Sequence, residues 1–317
     1  MKNPIFLIQL LFIFLVPSAV VAQKELSKTF KDIQSIRINT ASGDCEIVKS
    51  PNASVTVQLS HSYDDGEFEP EIEQNGNRIV IKESFKVRSV SGTGKWTLTV
   101  PDGLEIRFQS GSGGVIASNL KLDMDANTGS GSFDISKVTG DIKATTGSGD
   151  FTISDFNGDI NANIGSGSVV AQNCKGGIRL NSGSGNIKLT DSKAAFDANT
   201  GSGDIVSKNL TLDGASRFNS GSGNSQIILA TVPKHDLSVA SGSGDAEVDF
   251  NGQEIAGVVV MKANKKNGRI EAPFEFDKVK ESDDDGNQVT VEKTAVKGNA
   301  TNLINISTGS GVARIRK

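Results

Sequence analysis

The sequence predicts an all-β protein: a single-chain β-solenoid of about 18 residues per coil, with irregular N-terminal coils and a strand and hairpin excursion before the last coil. Three observations predict it. The triplet Gly-Ser-Gly begins at residues 111, 129, 147, 165, 183 and 201, and recurs at 221, 242 and 309. Apolar and polar residues alternate on both sides of the triplet, which is the period of a strand with one buried face. Residues 18 apart also match in kind, and a fixed period near 20 residues marks a repeat architecture.

The columns carry the detail. One reads Met124, Ile142, Ile160, Ile178, Phe196, and two places on stand Ala126, Ala144, Ala162, Leu180 and Ala198. After the triplet come Phe133, Phe151, Val169, Ile187 and Ile205, and a further column reads Leu120, Val138, Phe156, Cys174, Ser192, Leu210. An antiparallel meander shares this local pattern, but as a single sheet it leaves its apolar face bare. Strands of about five to seven residues with no apolar outer band are too short for a membrane barrel. In a solenoid, like residues stack on like about 4.8 Å apart around a closed core, and the narrow alanine column suits a thin interior.

The triplet reads as a corner. Two glycines there are expected to supply positive φ and close backbone approach, and the serine between them to bond a local backbone group. A phosphate-cradling loop is excluded, because no triplet opens a helical pattern and "SVSGTGKW" at 89 to 96 lacks the P-loop's upstream glycine and its Ser/Thr after Lys95.

Taken in chain order, residues 1–22 read as a signal peptide. Lys2 supplies the charge, Ile5 to Val16 is apolar except for Gln9, and small residues lead to an expected cleavage after Ala22. No later stretch is apolar enough to span a membrane, so no stable span is expected after cleavage. Residues 23–110 form irregular coils that start the stack: "ASGDCEIV" at 41 to 48 matches "GSGDFTIS" at 147 to 154, and strand-like runs follow at 55–59, 78–82, 95–100 and 104–108. The regular solenoid occupies 111–250. Residues 251–317 hold the excursion, with "GVVVMKA", an acidic turn "ESDDDGN" and "QVTVEKTAV", and then a capping coil, "NLINISTGSGVARIRK". Arg314, Arg316 and Lys317 would guard that last strand against edge-to-edge association.

Composition excludes several functions. Thirty-three basic against 37 acidic residues give no reason to expect nucleic acid, and one Trp (Trp96) and one Tyr (Tyr63) make poor stacking platforms. Cys45 and Cys174 fall in inward columns about seven coils apart, which is roughly 34 Å at one strand spacing per coil. A disulfide needs Cα atoms within about 7 Å, so both are expected to be free thiols. His61 and His235 are expected at the surface, and no Cys/His cluster has zinc spacing.

Two calcium readings arise. Asp44, Asp150, Asp204 and Asp245 follow their corners directly, but the column also holds Ser132, Ser168, Asn186 and Asn224, which turns favour for their own sake. In "ESDDDGNQVTVE", Asp283, Asp285 and Glu292 fall at the third, fifth and twelfth places of an EF-hand loop, and these three residues are the metal candidates. Glu281 breaks the first place, the flanks read as strands, and a solvated hairpin turn is the competing reading. No cofactor is expected. Carboxylate pairs such as Asp155 with Asp159, or Asp191 with Asp197, fit solvated positions as well as acid and base roles, and no nucleophile, base or metal cluster stands out.

The repeated "TGSGD" and "SGSGD" corners, the "RINTASGDCEIV" coil, "WTLTVPDGLEI" before the regular repeats and the closing "ISTGSGVARIRK" resemble a family of secreted bacterial β-strand-repeat proteins of adhesin type. These are domains of unknown function related to the head domain of autotransporter adhesins. The resemblance spans nearly all of the chain after residue 22. It implies a β-solenoid with an envelope or surface location, and it transfers no catalytic residues. The expectation is a non-enzymatic exported protein, periplasmic, at the cell surface or secreted, that presents flat faces to an unknown protein or glycan partner. Outward rows such as Asp134, Thr152, Val170, Lys188 and Val206 are candidates for contact. A polysaccharide-active β-helix enzyme and a structural or stress-sensing envelope module remain the alternatives.

Overall fold

A computed structural model describes residues 23–87, 91–284 and 288–317; the expected signal peptide lies outside these residues. Among the described residues there are 28 strands and no helix, so none has a helix long and apolar enough to cross a membrane.

The central coils are parallel and stacked. Ile142 pairs with Ile160, and Ile160 with Ile178. Ala126, Ala144, Ala162, Leu180 and Ala198 run in one register on the same face. On the other side of the triplet, Phe133, Phe151, Val169, Ile187 and Ile205 align likewise. All of these side chains are buried. The two strands of each coil thus enclose one thin apolar core, and the meander is ruled out because neighbouring strands run parallel. The fold is a β-solenoid.

Two corners divide each coil, and their chemistry differs from expectation. The Gly-Ser-Gly glycines are not the positive-φ residues of the repeat. Their need is room: a Cβ at Gly149 would collide with the carbonyl of Gly131 on the preceding coil. The serine between them is exposed, and the hydroxyl that works belongs to the residue just before the triplet. Thr146 Oγ1 donates to the carbonyl of Gly131 at 2.9 Å and accepts from Gly149 N at 3.0 Å. Thr128, Ser182 and Thr200 repeat both bonds. Positive φ belongs to the opposite corner, where Asn119, Lys137, Asp155, Asn173, Asp191 and Asn209 sit at φ of 51 to 61°. Short polar Asn and Asp side chains tolerate that conformation best. There Gly158, at φ 143°, completes the bend in one coil.

At both ends the stacking order departs from chain order. Ser35–Thr40 lies between Arg78–Phe85 and Leu104–Ser110. Its continuation Asp44–Lys49 lies between Gly94–Val100 and Val115–Thr128. The first coil of the chain is therefore the second in the stack, overlaid by a coil formed later. Lys24–Phe30 and Val55–His61 extend one face antiparallel, and Phe68–Asn75 extends the other. The C-terminus mirrors this arrangement. Leu303–Thr308 sits between Leu237–Ser241 and Gly257–Asn264, and Val312–Arg316 between Ala246–Asp249 and Arg269–Glu271. The final strand is therefore not an edge. Arg314 does not guard it but joins neighbours, pairing with Glu247 at 3.0 Å and Glu271 at 2.8 Å. The edges at that end are Lys278–Asp284, paired antiparallel with Gln288–Lys297, and Arg269–Glu271, paired with Val312–Arg316.

This order also shortens the distance between the thiols. Cys45 pairs with Val115, which leads through Phe133 and Phe151 to Val169 in the coil of Cys174. Four spacings separate them instead of seven, about 19 Å. Both cysteines are buried and free.

Candidate functional site

The strands that precede the triplets present a long outer face, and their first outward residues line a depression along it. The result is a groove of about 1210 Å³ running along the stack from Glu105 to Leu303 and Asn305, across nine coils. At one strand spacing per coil it is about 38 Å long. Its first row is Glu105, Asp123, Asp141, Asp159, Gly177, Ala195, Ala215, Asp236 and Leu303. A second row alternates in charge through Arg107, Asp125, Lys143, Asn161, Arg179, Asp197 and Arg217. Ion pairs within that row join Arg179 to Asp197 at 3.4 Å and Arg107 to Asp125 at 4.0 Å. A third row holds amides, in which Asn181, Asn199 and Asn219 each donate to the asparagine of the preceding coil at 2.9 to 3.2 Å.

The aspartates of the first row have a structural task. Asp123 Oδ1 accepts from Asp141 N at 2.9 Å, Asp141 Oδ1 from Asp159 N at 3.4 Å, and Asp159 Oδ1 from Gly177 N at 2.8 Å. Asp236 Oδ1 does the same for Leu303 N at 2.8 Å. Where the strand starts, its first amide has no ladder partner, and the side chain one coil away supplies the acceptor. Neither the corner pattern nor the periodicity identified this row as a groove.

An equivalent ladder follows the Gly-Ser-Gly corner. Asp44 Oδ1 accepts from Gly114 N at 2.8 Å, Ser132 Oγ from Asp150 N at 3.1 Å, Asn186 Oδ1 from Asp204 N at 2.8 Å, and Asp245 Oδ1 from Val312 N at 2.8 Å. Here Asp, Asn and Ser interchange because the bond asks only for an oxygen. That use accounts for the column that invited comparison with calcium solenoids.

The strands on either side of the EF-hand-like turn pair antiparallel, with Lys280 opposite Glu292 and Asp283 opposite Val289. Asp285 and the Asp283 side chain lie outside what the structure describes. Glu292 pairs with Lys262 at 2.9 Å and Glu281 with Lys265 at 2.7 Å. Among the described residues no group of three or more His, Cys, Asp or Glu is placed to hold a metal ion.

His235 is exposed, as expected, but His61 is not a free surface residue. Its ring lies 4.8 Å from Phe68 and 5.8 Å from Tyr63, in a cluster with Phe85 at the N-terminal end. Burial, then the nearby Lys24 ammonium, pushes its pKa down. Trp96 is buried and donates to Glu83 at 2.8 Å, while the other oxygen of Glu83 accepts from Ala41 N at 2.7 Å. Glu83 thereby supplies the acceptor for a backbone amide at this corner. The outward row Asp134, Thr152, Val170, Lys188 and Val206 lies in register on the opposite face.

Several solved structures are similar to the chain. A proposed cell adhesion protein from Clostridium sporogenes ATCC 15579 is 14% identical, with 93% of this chain and 99% of that one covered and a TM-score of 0.23. A proposed adhesin from Bacteroides fragilis NCTC 9343 is 13% identical over 91% and 96%, at 0.34. A proposed lipid binding protein from Parabacteroides distasonis ATCC 8503 is 16% identical over 74% and 92%, at 0.42. No curated protein matches the chain. The Toastrack DUF4097 family matches residues 33–272, and the chain belongs to that family.

Proposed function

We propose that this protein is a non-enzymatic, exported binding protein of adhesin type that holds an extended protein or glycan of the cell envelope along its groove. One observation carries the reading: the groove crosses nine coils, a shape suited to a polymer more than to a small metabolite. Its floor is small, at Gly177, Ala195 and Ala215, so a chain can lie flat across the rungs. The groove carboxylates favour binding over catalysis, since Asp123, Asp141 and Asp159 each hold a backbone amide, a duty that restrains them from moving with a reacting group. The charged, then apolar, then small-residue pattern of residues 1–22, expected to be a signal peptide, supports export.

The test is capture of partners from an envelope extract by the purified protein, alongside a glycan screen in which reaction products are checked. Retention that is lost on Ala195→Trp, which fills the groove floor, supports the reading. New reducing or unsaturated sugar ends would replace it with catalysis. Retention unchanged by Ala195→Trp would move the site off the groove.

A further inference from the structure

We propose that the occupant of the groove is an extended basic peptide segment, with Lys or Arg side chains over Glu105, Asp123, Asp141 and Asp159 and an apolar side chain at the Leu303 end. The proposal rests on the groove being the binding surface, and it names the partner's chemistry.

The comparison of the two capping ladders points to charge with a purpose. Beyond the Gly-Ser-Gly corner the same backbone bond is made by Ser132, Asn186 and Asn224 as well as by aspartates. A negative charge is therefore dispensable for the capping task. In the first row of the groove the side chains that cap a strand's opening amide, Asp123, Asp141, Asp159 and Asp236, are all carboxylates. Three of them are consecutive, about 4.8 Å apart, and like charges in register on a sheet repel. The capping bonds use Oδ1 of each side chain, and these carboxylates are exposed. Among the described residues the groove's ion pairs engage Glu105, Asp125 and Asp197, while Asp123, Asp141 and Asp159 take part in none. Seven carboxylates line the groove against four cations, and Arg107 and Arg179 already face partners in their own row. A cationic ligand relieves this repulsion, whereas an anionic one adds to it.

The far end differs in chemistry. Leu303 is exposed and in register with Val258, which in turn pairs with the exposed Val296. The first row of the groove thus runs from an acidic end over a small-residue floor to Asp236 and then the exposed Leu303, so a bound chain has a direction. About 38 Å accommodates some eleven or twelve extended residues at roughly 3.3 Å each. A glycan is the weaker fit: sugar rings pack on exposed aromatic faces, and the aromatic residue of the groove lining, Phe196, is buried.

The test is fluorescence anisotropy with a labelled dodecapeptide, basic at one end and apolar at the other, and with its acidic counterpart. Asp123→Asn, Asp141→Asn and Asp159→Asn are combined in one variant. Asparagine keeps the capping oxygen, as it does at Asn186 and Asn224, so the melting temperature should barely change. We expect the basic peptide to bind, to weaken roughly tenfold in the triple variant, and to weaken as salt rises from about 50 to about 500 mM. No binding of the basic peptide, equal binding by the triple variant, or equal binding of the acidic peptide would each overturn the proposal. Envelope capture that is lost on Ala195→Trp but indifferent to the triple variant would leave the groove reading standing and this one refuted.

Discussion

Thr146 reaches back one coil to the carbonyl of Gly131 at 2.9 Å and in the same geometry accepts from Gly149 N at 3.0 Å. One buried hydroxyl thereby ties two successive corners. Thr146→Val keeps the shape but strands both backbone groups, and leaving buried groups unpaired costs about 1–3 kcal/mol. Thr146→Ser should retain most of the stability, since Ser182 makes the same two bonds. Urea unfolding of the three proteins checks this.

Gly149 has no room for a methyl group, because the Gly131 carbonyl lies where the Cβ would go. Gly149→Ala should destabilise by ~3 kcal/mol or fail to fold, the upper range for overpacking. Ser148, exposed one residue earlier, should tolerate alanine within about 0.5 kcal/mol. The contrast in thermal melts separates the corner's structural glycine from its surface serine.

The thiols predict an alkaline limit. Burial pushes Cys174 from its ordinary 9.0 up to about 11, and burial pushes Cys45 up as well. Above pH 9 the unfolded chain loses these protons while the folded one keeps them. Stability is thus whole below about pH 9 and falls as pH rises towards 11. Thiol titration should find no reactive group in the folded protein at pH 8 and two after denaturation without reductant. Fewer than two would mean a disulfide.

His61 predicts the opposite limit. Its folded pKa lies below the ordinary 6.5 because burial and then Lys24 disfavour its charge, against the weaker pull of Asp65 and Glu83. Below about pH 6.5 the unfolded chain takes up a proton that the folded one resists, so stability at the N-terminal end falls with acid. His61→Gln should flatten the denaturant midpoint between pH 7.5 and pH 5. An equal slope in the variant would assign the acid sensitivity elsewhere.

Much of this architecture was legible in the chain because a solenoid repeats its environment. Each rung meets nearly the same neighbours, so the column Ile142, Ile160, Ile178 reports its own packing, and period-two alternation names the inward face. Within the regular coils the periodicity misassigned only the corner chemistry, and the remaining wrong inferences came where the neighbour is not the next repeat. The order of the terminal coils depends on which rung covers which, and a strand motif such as "ASGDCEIV" carries no record of whether the chain before or after it lies on top. The same gap misplaced Arg314 at an edge and doubled neither face nor fold, but overstated the distance between Cys45 and Cys174.

The sequence by itself determined the coil length, the strand faces, the corner positions and the burial of both cysteines, since all of these follow from local periodicity. Only the tertiary structure decided that both terminal coils are interleaved, that the triplet's glycines serve close approach instead of positive φ, and that a concave groove runs beside the aspartate ladder. Those features arise between rungs, where stacking geometry sets which oxygen meets which amide, and residue order alone holds no such distance.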